Sequence, residues 1–238
     1  MNILEVRNLS FHYDKDTIIL NNLSFNVKKN ELISIVGGSG CGKSTIIKVL
    51  AGIEKNFQGD IKVNNISYMP QSDTLLPWRN ILENILLPTE IKKCNKENER
   101  KRALSLLKRF NLINYSKSYP KELSGGMKQR ISFIRTLMND GDLLLLDEPF
   151  SALDAITRED LQNWLLNSFI TLEKSIIFIT HDIDEAIFLS NRILVCVEKP
   201  ISYFKEFIVP HNIDPAYKTL LKKNIVSTIK GEHNHEKN

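Results

Sequence analysis

Cysteine, long apolar runs and charge of one sign are all scarce in this chain. Its 238 residues include three cysteines, Cys41, Cys94 and Cys196, which form no CxxC pair. Such usage favours reduced thiols in a cytosolic protein. Apolar runs such as Leu143–Leu146 are far too short to span a membrane, and the N-terminus lacks the basic start and apolar core of a signal peptide. Any membrane role is therefore expected to depend on a separate protein.

Charge and composition are ordinary for a globular protein. The formal net charge is only +4 and the lysines are scattered, so nothing indicates a nucleic-acid partner. Hydrophobic residues make up 42% of the chain and charged residues 25%. This length suits one compact α/β domain or two small ones.

Strand and helix patterns alternate along the chain. The continuous apolar run Leu32–Val36 suits a strand in a sheet that is covered on both faces. Between about 78 and 138 the apolar residues follow a helical period, and strand–helix alternation resumes afterwards. This order predicts a largely parallel sheet. We expect an α/β core at about 1–77 and 139–209, a helical subdomain at about 78–138, and a C-terminal helix with a polar tail at 210–238.

The stretch GGSGCGKST lies between a predicted strand and a predicted helix. It fits the P-loop pattern G-x-x-x-x-G-K-[ST], in which a glycine-rich turn directs N–H groups at phosphates. Lys43 is expected to reach the β- and γ-phosphates, and the Ser44 hydroxyl to bind Mg²⁺. The alternative is a glycine-rich turn that binds nothing. The candidate nucleotide-binding residues here are Gly37, Gly38, Ser39, Gly40, Cys41, Gly42, Lys43, Ser44 and Thr45.

Two acids end the apolar run LLLLDEP. Asp147 is a candidate for holding Mg²⁺ through its water shell. Glu148 follows directly, and a carboxylate beside a γ-phosphate can orient and deprotonate water. This favours hydrolysis over transfer to a substrate hydroxyl. In isolation the pair could equally be two solvated acids at the end of a strand.

A second glycine-bearing helix start occurs at LSGGMKQR. Ser124, Gly125 and Gly126 would begin a helix whose N-terminus suits an anion. Taken alone, an ordinary capped helix is the simpler interpretation.

In combination these motifs resemble the ATP-binding cassette (ABC) ATPases, from about residue 3 to about residue 209. The resemblance implies a P-loop NTPase (RecA-like) α/β core with a small antiparallel β region and an inserted helical subdomain. LSGGM would be the signature motif, with Met where Gln is commoner, and SALD the D-loop that includes Asp154. It further implies a Q-loop glutamine at Gln71, a switch histidine at His181, and Tyr13 stacking on adenine, unless Tyr13 is a plain strand aromatic.

The resemblance therefore implies ATP and Mg²⁺ as ligands. The implied catalytic residues are Glu148, His181, Gln71 and Lys43, and the implied Mg²⁺ contacts are Ser44, Gln71 and Asp147. In this family one copy's P-loop and another's signature motif enclose each ATP. A single cassette cannot close that arrangement alone, so a homodimer with two ATP sites is implied.

The segment Gln71–Pro88 narrows the resemblance to importer ATPases of the nitrate, sulfonate and taurine group. In these systems this surface receives a short helix of an integral-membrane permease. Leu75, Leu76, Pro77 and Trp78 are the candidates for that contact, although Trp78 could instead be buried in the helical subdomain.

The expected function is the ATP-hydrolysing subunit of a bacterial importer at the cytoplasmic face of the membrane. It would act with a permease and, indirectly, a solute-binding protein. A soluble ABC ATPase acting on nucleic acid or ribosomes is the first alternative. A nucleotide-dependent binding module with negligible turnover is the second, and intact Glu148 and His181 argue against it.

Overall fold

The computed structural model describes residues 1–14, 17–172, 174–210 and 212–233 of the chain. The strands are β1 (Asn2–His12), β2 (Ile18–Lys28), β3 (Leu32–Val36), β4 (Phe57–Val63), β5 (Ile66–Met69), β6 (Leu143–Asp147), β7 (Ser175–Ile179), β8 (Arg192–Cys196) and β9 (Phe204–Ile208). The α-helices are α1 (Lys43–Leu50), α2 (Ile81–Ile91), α3 (Lys96–Arg109), α4 (Gly125–Met138), α5 (Ala155–Leu172), α6 (Ile183–Leu189) and α7 (Pro215–His233). Short 3₁₀ turns cover Ile113–Tyr115 and Pro120–Glu122.

Six strands form the main sheet in the order β5-β6-β7-β3-β8-β9. Strands β5, β6, β7, β3 and β8 are parallel to one another, and β9 joins β8 in the antiparallel direction. Parallel neighbours need long crossover connections, and the alternating helices supply most of them. The predicted largely parallel sheet is confirmed.

The central strands β3, β6, β7 and β8 are buried along their whole length. Continuous apolar sequences such as LISIV and SIIFI form such strands because both faces of the sheet are covered. In parallel strands all the carboxyl ends lie at one edge. The glycine-rich loop after β3, the acid that ends β6 and the histidine after β7 therefore meet at that edge.

A separate three-stranded antiparallel sheet has the order β2-β1-β4. The two short strands predicted around Asn64 and Asn65 are present, but they belong to different sheets. Strand β4 pairs with β1, whereas β5 pairs with β6. The tight Asn64-Asn65 connection thus carries the chain from the antiparallel sheet into the main sheet.

Helices α2, α3 and α4 lie in the chain between β5 and β6. The apolar face predicted for α3 is present, because Ala103 and Leu107 have no exposed surface. Asn80 begins α2 with a capping box, in which its side chain accepts from Glu83 N while Glu83 accepts from Asn80 N. Ser124 caps α4 by accepting a hydrogen bond from Met127 N at 3.3 Å.

The predicted fold class, an α/β P-loop NTPase core, is confirmed. The exact boundaries of core and helical subdomain stay predictions. Helix α7 extends to His233, and the rest of the predicted polar tail lies outside the described residues. Within the described ranges, no helix combines the length and the apolar character needed to cross a bilayer.

Candidate nucleotide site

A cavity of about 610 Å³ opens at the carboxyl edge of the main sheet. Its lining brings together most of the predicted site residues from five separate parts of the chain. They are Tyr13, Gly37, Ser39, Gly40, Gly42, Lys43, Ser44, Thr45, Gln71, Glu148 and His181, joined by Ile19.

The glycine-rich loop depends on backbone conformations that other residues avoid. Gly40 has φ 74° and Gly42 has φ 115°, both in the left-handed region. A Cβ at Gly42 would also lie 2.6 Å from Cγ2 of Ile19. Gly42 stands at the start of α1 with no side-chain hydrogen bond capping the helix. The first N–H groups of α1 are thus available for an anion.

The Lys43 side chain is held against the glycine-rich loop by two backbone carbonyls of that loop. Its Nζ donates to the Gly37 carbonyl at 3.0 Å and to the Gly38 carbonyl at 2.8 Å. These bonds keep the ammonium group at the rim of the cavity, although the residue is only 9% exposed. The one positive side chain of the loop is therefore directed to where phosphates would lie.

Ser44 and Asp147 meet behind the loop. The Ser44 hydroxyl donates to Oδ1 of Asp147 at 3.0 Å. Burial raises the pKa of the Asp147 carboxyl above its ordinary value, which the Ser44 hydrogen bond opposes. A hydroxyl and a carboxylate at this distance are oxygen donors of the kind Mg²⁺ prefers, so the residues present fit that ion.

Glu148 lies at the opposite wall with two polar neighbours. Gln71 Nε2 donates to Glu148 Oε2 at 3.0 Å. His181 Nδ1 lies 3.9 Å from the same oxygen, and the imidazole side chain is 70% exposed to the cavity and solvent. The three side chains come from the loop after β5, the end of β6 and the end of β7. Together they form a polar cluster around one carboxylate that faces the cavity.

Tyr13 stands at the mouth of the cavity. Its hydroxyl lies 3.3 Å from Thr45 Oγ1, and its ring packs edge-to-face on Phe11 at 4.9 Å. The ring remains 53% exposed. An exposed aromatic ring beside the cavity is compatible with stacking on a planar base, which stays a prediction.

Not all predicted residues line the cavity. The Cys41 side chain is buried behind the loop, where a hydrogen bond with Cys196 lowers its pKa to about 6, assisted by Lys43. Gly38 is in the loop but not in the lining. Ser124, Gly125, Gly126 and Asp154 lie apart from it as well, and Asp154 instead caps α5 by accepting from Thr157 N at 3.0 Å.

The residues of the predicted docking segment differ in exposure. Trp78 is 71% exposed, which decides against its burial in the helical subdomain. Leu75, however, is only 8% exposed and packs in the main core, so its inclusion among surface contacts was wrong. The error arises because a run of apolar residues does not reveal which side chain turns inward.

Two polar residues fix the backbone of this segment. Buried Asn84 accepts from Leu76 N at 2.7 Å and donates to the carbonyls of Leu76, Arg79 and Asn80. Arg135 donates to the carbonyls of Asp73 and Thr74, each at 2.9 Å. The segment is therefore anchored from both sides while Trp78 projects outward.

The sequence-based interpretation assigned no role to Gln129 or Ile19. Gln129 is 4% exposed and binds the turn after Glu148, and Ile19 lines the cavity opposite Gly42. One feature of the sequence could have indicated that Gln129 is buried for a reason. It is a glutamine on the inner face of a helix whose other buried residues are mostly apolar.

Comparison with known proteins agrees with this geometry. Residues 20–151 match the family described as ABC transporter. The formylaminopyrimidine import ATP-binding protein ThiZ of Halalkalibacterium halodurans is 39% identical over 89% of this chain and 86% of its own length. The aliphatic sulfonates import ATP-binding protein SsuB of Bacillus cereus is 39% identical over 83% of this chain and 82% of its own.

Solved structures give the same result. The dimeric ATP-binding cassette MJ0796, in a post-hydrolysis state bound to ADP and Pi, has a TM-score of 0.78 at 28% identity. The match covers 87% of this chain and 99% of that one. The glycine-rich loop, the polar cluster around Glu148 and these relatives lead to one assignment. The chain belongs to the ABC transporter family and is an ATP-binding, ATP-hydrolysing subunit of the import type.

Proposed function

We propose that this chain hydrolyses ATP with Glu148 as general base and energises solute uptake through a separate permease. The observation that carries the proposal is the carboxylate of Glu148, held 3.0 Å from Gln71 Nε2 at the wall of the P-loop cavity. That contact orients the carboxylate toward the space where an attacking water would lie.

Each neighbouring group has a distinct proposed role. Lys43 and the N–H groups at the start of α1 bind the phosphates. His181 contacts the terminal phosphate, and Gln71 orients the attacking water. Glu148 removes the proton from that water as the water oxygen attacks the γ-phosphorus and the bond to the β,γ-bridging oxygen breaks. Ser44 and Asp147 would hold Mg²⁺, which would neutralise charge on the phosphate oxygens.

The signature residues support a dimeric form of the enzyme. Ser124, Gly125 and Gly126 lie outside the cavity of their own chain. Gly125 begins α4 and has open space where a Cβ would be, so a phosphate can approach the helix start closely. We propose a homodimer in which this helix start binds the terminal phosphate of the ATP held by the other copy. Asp154 would lie at the same interface.

The permease is proposed to dock on Leu76, Pro77 and Trp78. Gln71 and the proposed docking residues belong to the same loop between β5 and α2. A helix docked there therefore lies within a few residues of the polar cluster around Glu148. Movement of the permease could then displace Gln71 and change the hydrolysis rate. We propose that the chain acts at the cytoplasmic face of the membrane. The names of the relatives favour a small organic solute, such as a sulfonate or a pyrimidine. Delivery of that solute by a binding protein is part of the proposal.

Trp78→Ala is expected to weaken assembly with the permease while basal ATP hydrolysis and thermal stability stay near those of the wild type. Exposed tryptophans are frequent interface anchors, and losing one typically weakens binding about tenfold or more. Since the side chain is 71% exposed, its removal leaves the core intact. The measurement is binding to the permease in detergent, with the permease identified from the neighbouring genes.

Tyr203→Ala is the matched control. Tyr203 is also an exposed aromatic, at 50%, but it precedes β9 at the far edge of the main sheet from β5. Permease affinity unchanged by Trp78→Ala would place the docking surface elsewhere. An equal loss in both variants would show a general effect of surface aromatics. If the wild-type chain binds no permease but retains nucleic acid or ribosomes, the transport role is wrong.

A further inference from the structure

Gln129 connects the signature helix to the turn that carries Glu148. Its Nε2 donates to the Glu148 carbonyl at 3.0 Å and approaches Ser151 Oγ at 3.4 Å. Its Oε1 accepts from Ala152 N at 3.0 Å. Because a backbone carbonyl only accepts and a backbone N–H only donates, these partners determine which way the amide points. One buried side chain thus binds both ends of the turn 148–152.

The backbone at Glu148 requires such support. Its φ is 50°, in the left-handed region that is unfavourable for a residue with a Cβ. Conformations of this kind persist only where the surrounding structure fixes them, and they occur often at active sites. Ser151 N and Ser151 Oγ also donate to the Glu148 carbonyl, but both belong to the same turn. Glu148 N donates to the Ile179 carbonyl of β7 at 3.2 Å, and Gln129 adds a second tie, from this turn to α4.

Helix α4 is a rigid support for the amide. Ile131, Phe133 and Ile134 on this helix have no exposed surface. At its first turn, a Cβ on Gly126 would lie 3.3 Å from the carbonyl oxygen of Ala152, so the helix start already packs closely on the same turn. A movement of α4 would therefore be transmitted to the backbone of Glu148 through Gln129.

We infer that Gln129 is a positioning residue for ATP hydrolysis. Its amide holds the backbone of Glu148 in the left-handed conformation from which the carboxylate reaches Gln71 and the nucleotide cavity. This inference rests on the proposed role of Glu148 as general base. Because α4 begins at the signature residues, the same contact links phosphate binding at the helix start with the carboxylate of the same chain.

Gln129→Met tests the inference by removing the hydrogen bonds of the amide at nearly constant size. We expect kcat to fall about 10- to 100-fold, as small misplacements of catalytic groups typically do. KM and the affinity for ATP are expected to stay unchanged, because the Gln129 side chain does not itself line the cavity. Thr136→Val is the control. Thr136 is a buried residue of the same helix whose hydroxyl donates only to the Ser132 carbonyl at 2.9 Å, so kcat should be unaffected.

Gln129→Glu adds a readout that a purely structural role would not change. When protonated, the new carboxyl group has the shape of the amide and can donate to the Glu148 carbonyl. When ionised, it places a negative oxygen against that carbonyl and is disfavoured by burial. The ratio of variant to wild-type kcat should therefore rise as the pH falls.

All rates are normalised to the fraction of chains that bind ATP, so partial unfolding does not imitate a catalytic defect. The inference is overturned if both variants keep the wild-type kcat per binding-competent chain, or if the pH ratio is flat. Glu148→Gln, assayed in parallel, separates this result from the proposed function. If Glu148→Gln retains turnover, the base assignment fails and the inference falls with it. If only the Gln129 variants retain turnover, the base assignment stands and Gln129 has no positioning role.

Discussion

Glu148→Gln is expected to bind ATP with near-normal affinity and to lose almost all turnover. The amide keeps the size of the side chain but cannot take a proton from water. A positioned general base typically contributes about 10²–10⁴-fold, so a loss of that order is expected. ATP binding is unaffected, because the groups expected to bind the phosphates lie in the loop after β3 and at the start of α1 rather than at the end of β6.

Phosphate release and the binding of a fluorescent ATP analogue measure the two halves of this prediction. Asp160→Asn is a suitable control, because Asp160 is an exposed acid on α5 outside the cavity lining. Turnover near the wild-type rate in Glu148→Gln would assign the base elsewhere. Loss of ATP binding in that variant would mean that Glu148 supports the nucleotide itself.

Lys43→Ala is expected to abolish ATP binding at ordinary nucleotide concentrations. Its ammonium group is the positive side chain of the loop, and removing one member of a hydrogen-bonded charge pair costs about 2–5 kcal/mol, or about 30-fold or more in affinity. Loss of the bonds to the Gly37 and Gly38 carbonyls should also loosen the loop. Hydrolysis should fall in parallel because little substrate is bound.

Equilibrium binding of ATP to Lys43→Ala and to Lys62→Ala measures this effect. Lys62 is an exposed lysine of β4, outside the cavity, so its removal changes net charge equally without touching the loop. Equal affinities for the two variants would exclude Lys43 from phosphate binding. A melting temperature close to that of the wild type is required for either result to be interpreted.

The sequence predicted those parts of the site that depend on local pattern. Gly37–Thr45 has its chemistry in consecutive residues, and Asp147 and Glu148 directly follow an apolar strand. His181 follows a strand that is parallel to the one ending in Asp147, so both residues lie at the same edge of the sheet. Apart from Gly38, Cys41 and the buried Asp147, these residues line one cavity.

Other features depend on contacts that local pattern does not encode. Leu75 and Trp78 are both large side chains and lie close in sequence, yet Leu75 is buried and Trp78 is exposed, because the path of the loop between β5 and α2 decides which one turns inward. Gln129 contacts the Glu148 carbonyl across 19 positions of the chain. Cys41 and Cys196 interact between the glycine-rich loop and the end of β8. Each of these contacts arises from tertiary packing.

We propose that two copies of this chain enclose ATP between the P-loop of one and the signature helix of the other. The test is size-exclusion chromatography with light scattering, performed with and without ATP on Glu148→Gln and on the double variant Glu148→Gln/Ser124→Arg. The single variant should form an ATP-dependent dimer. The double variant should stay monomeric, although both bind ATP, because the arginine obstructs the helix start that faces the partner's phosphate. An ATP-dependent dimer of equal strength in both variants, or a monomer in both, would rule this arrangement out.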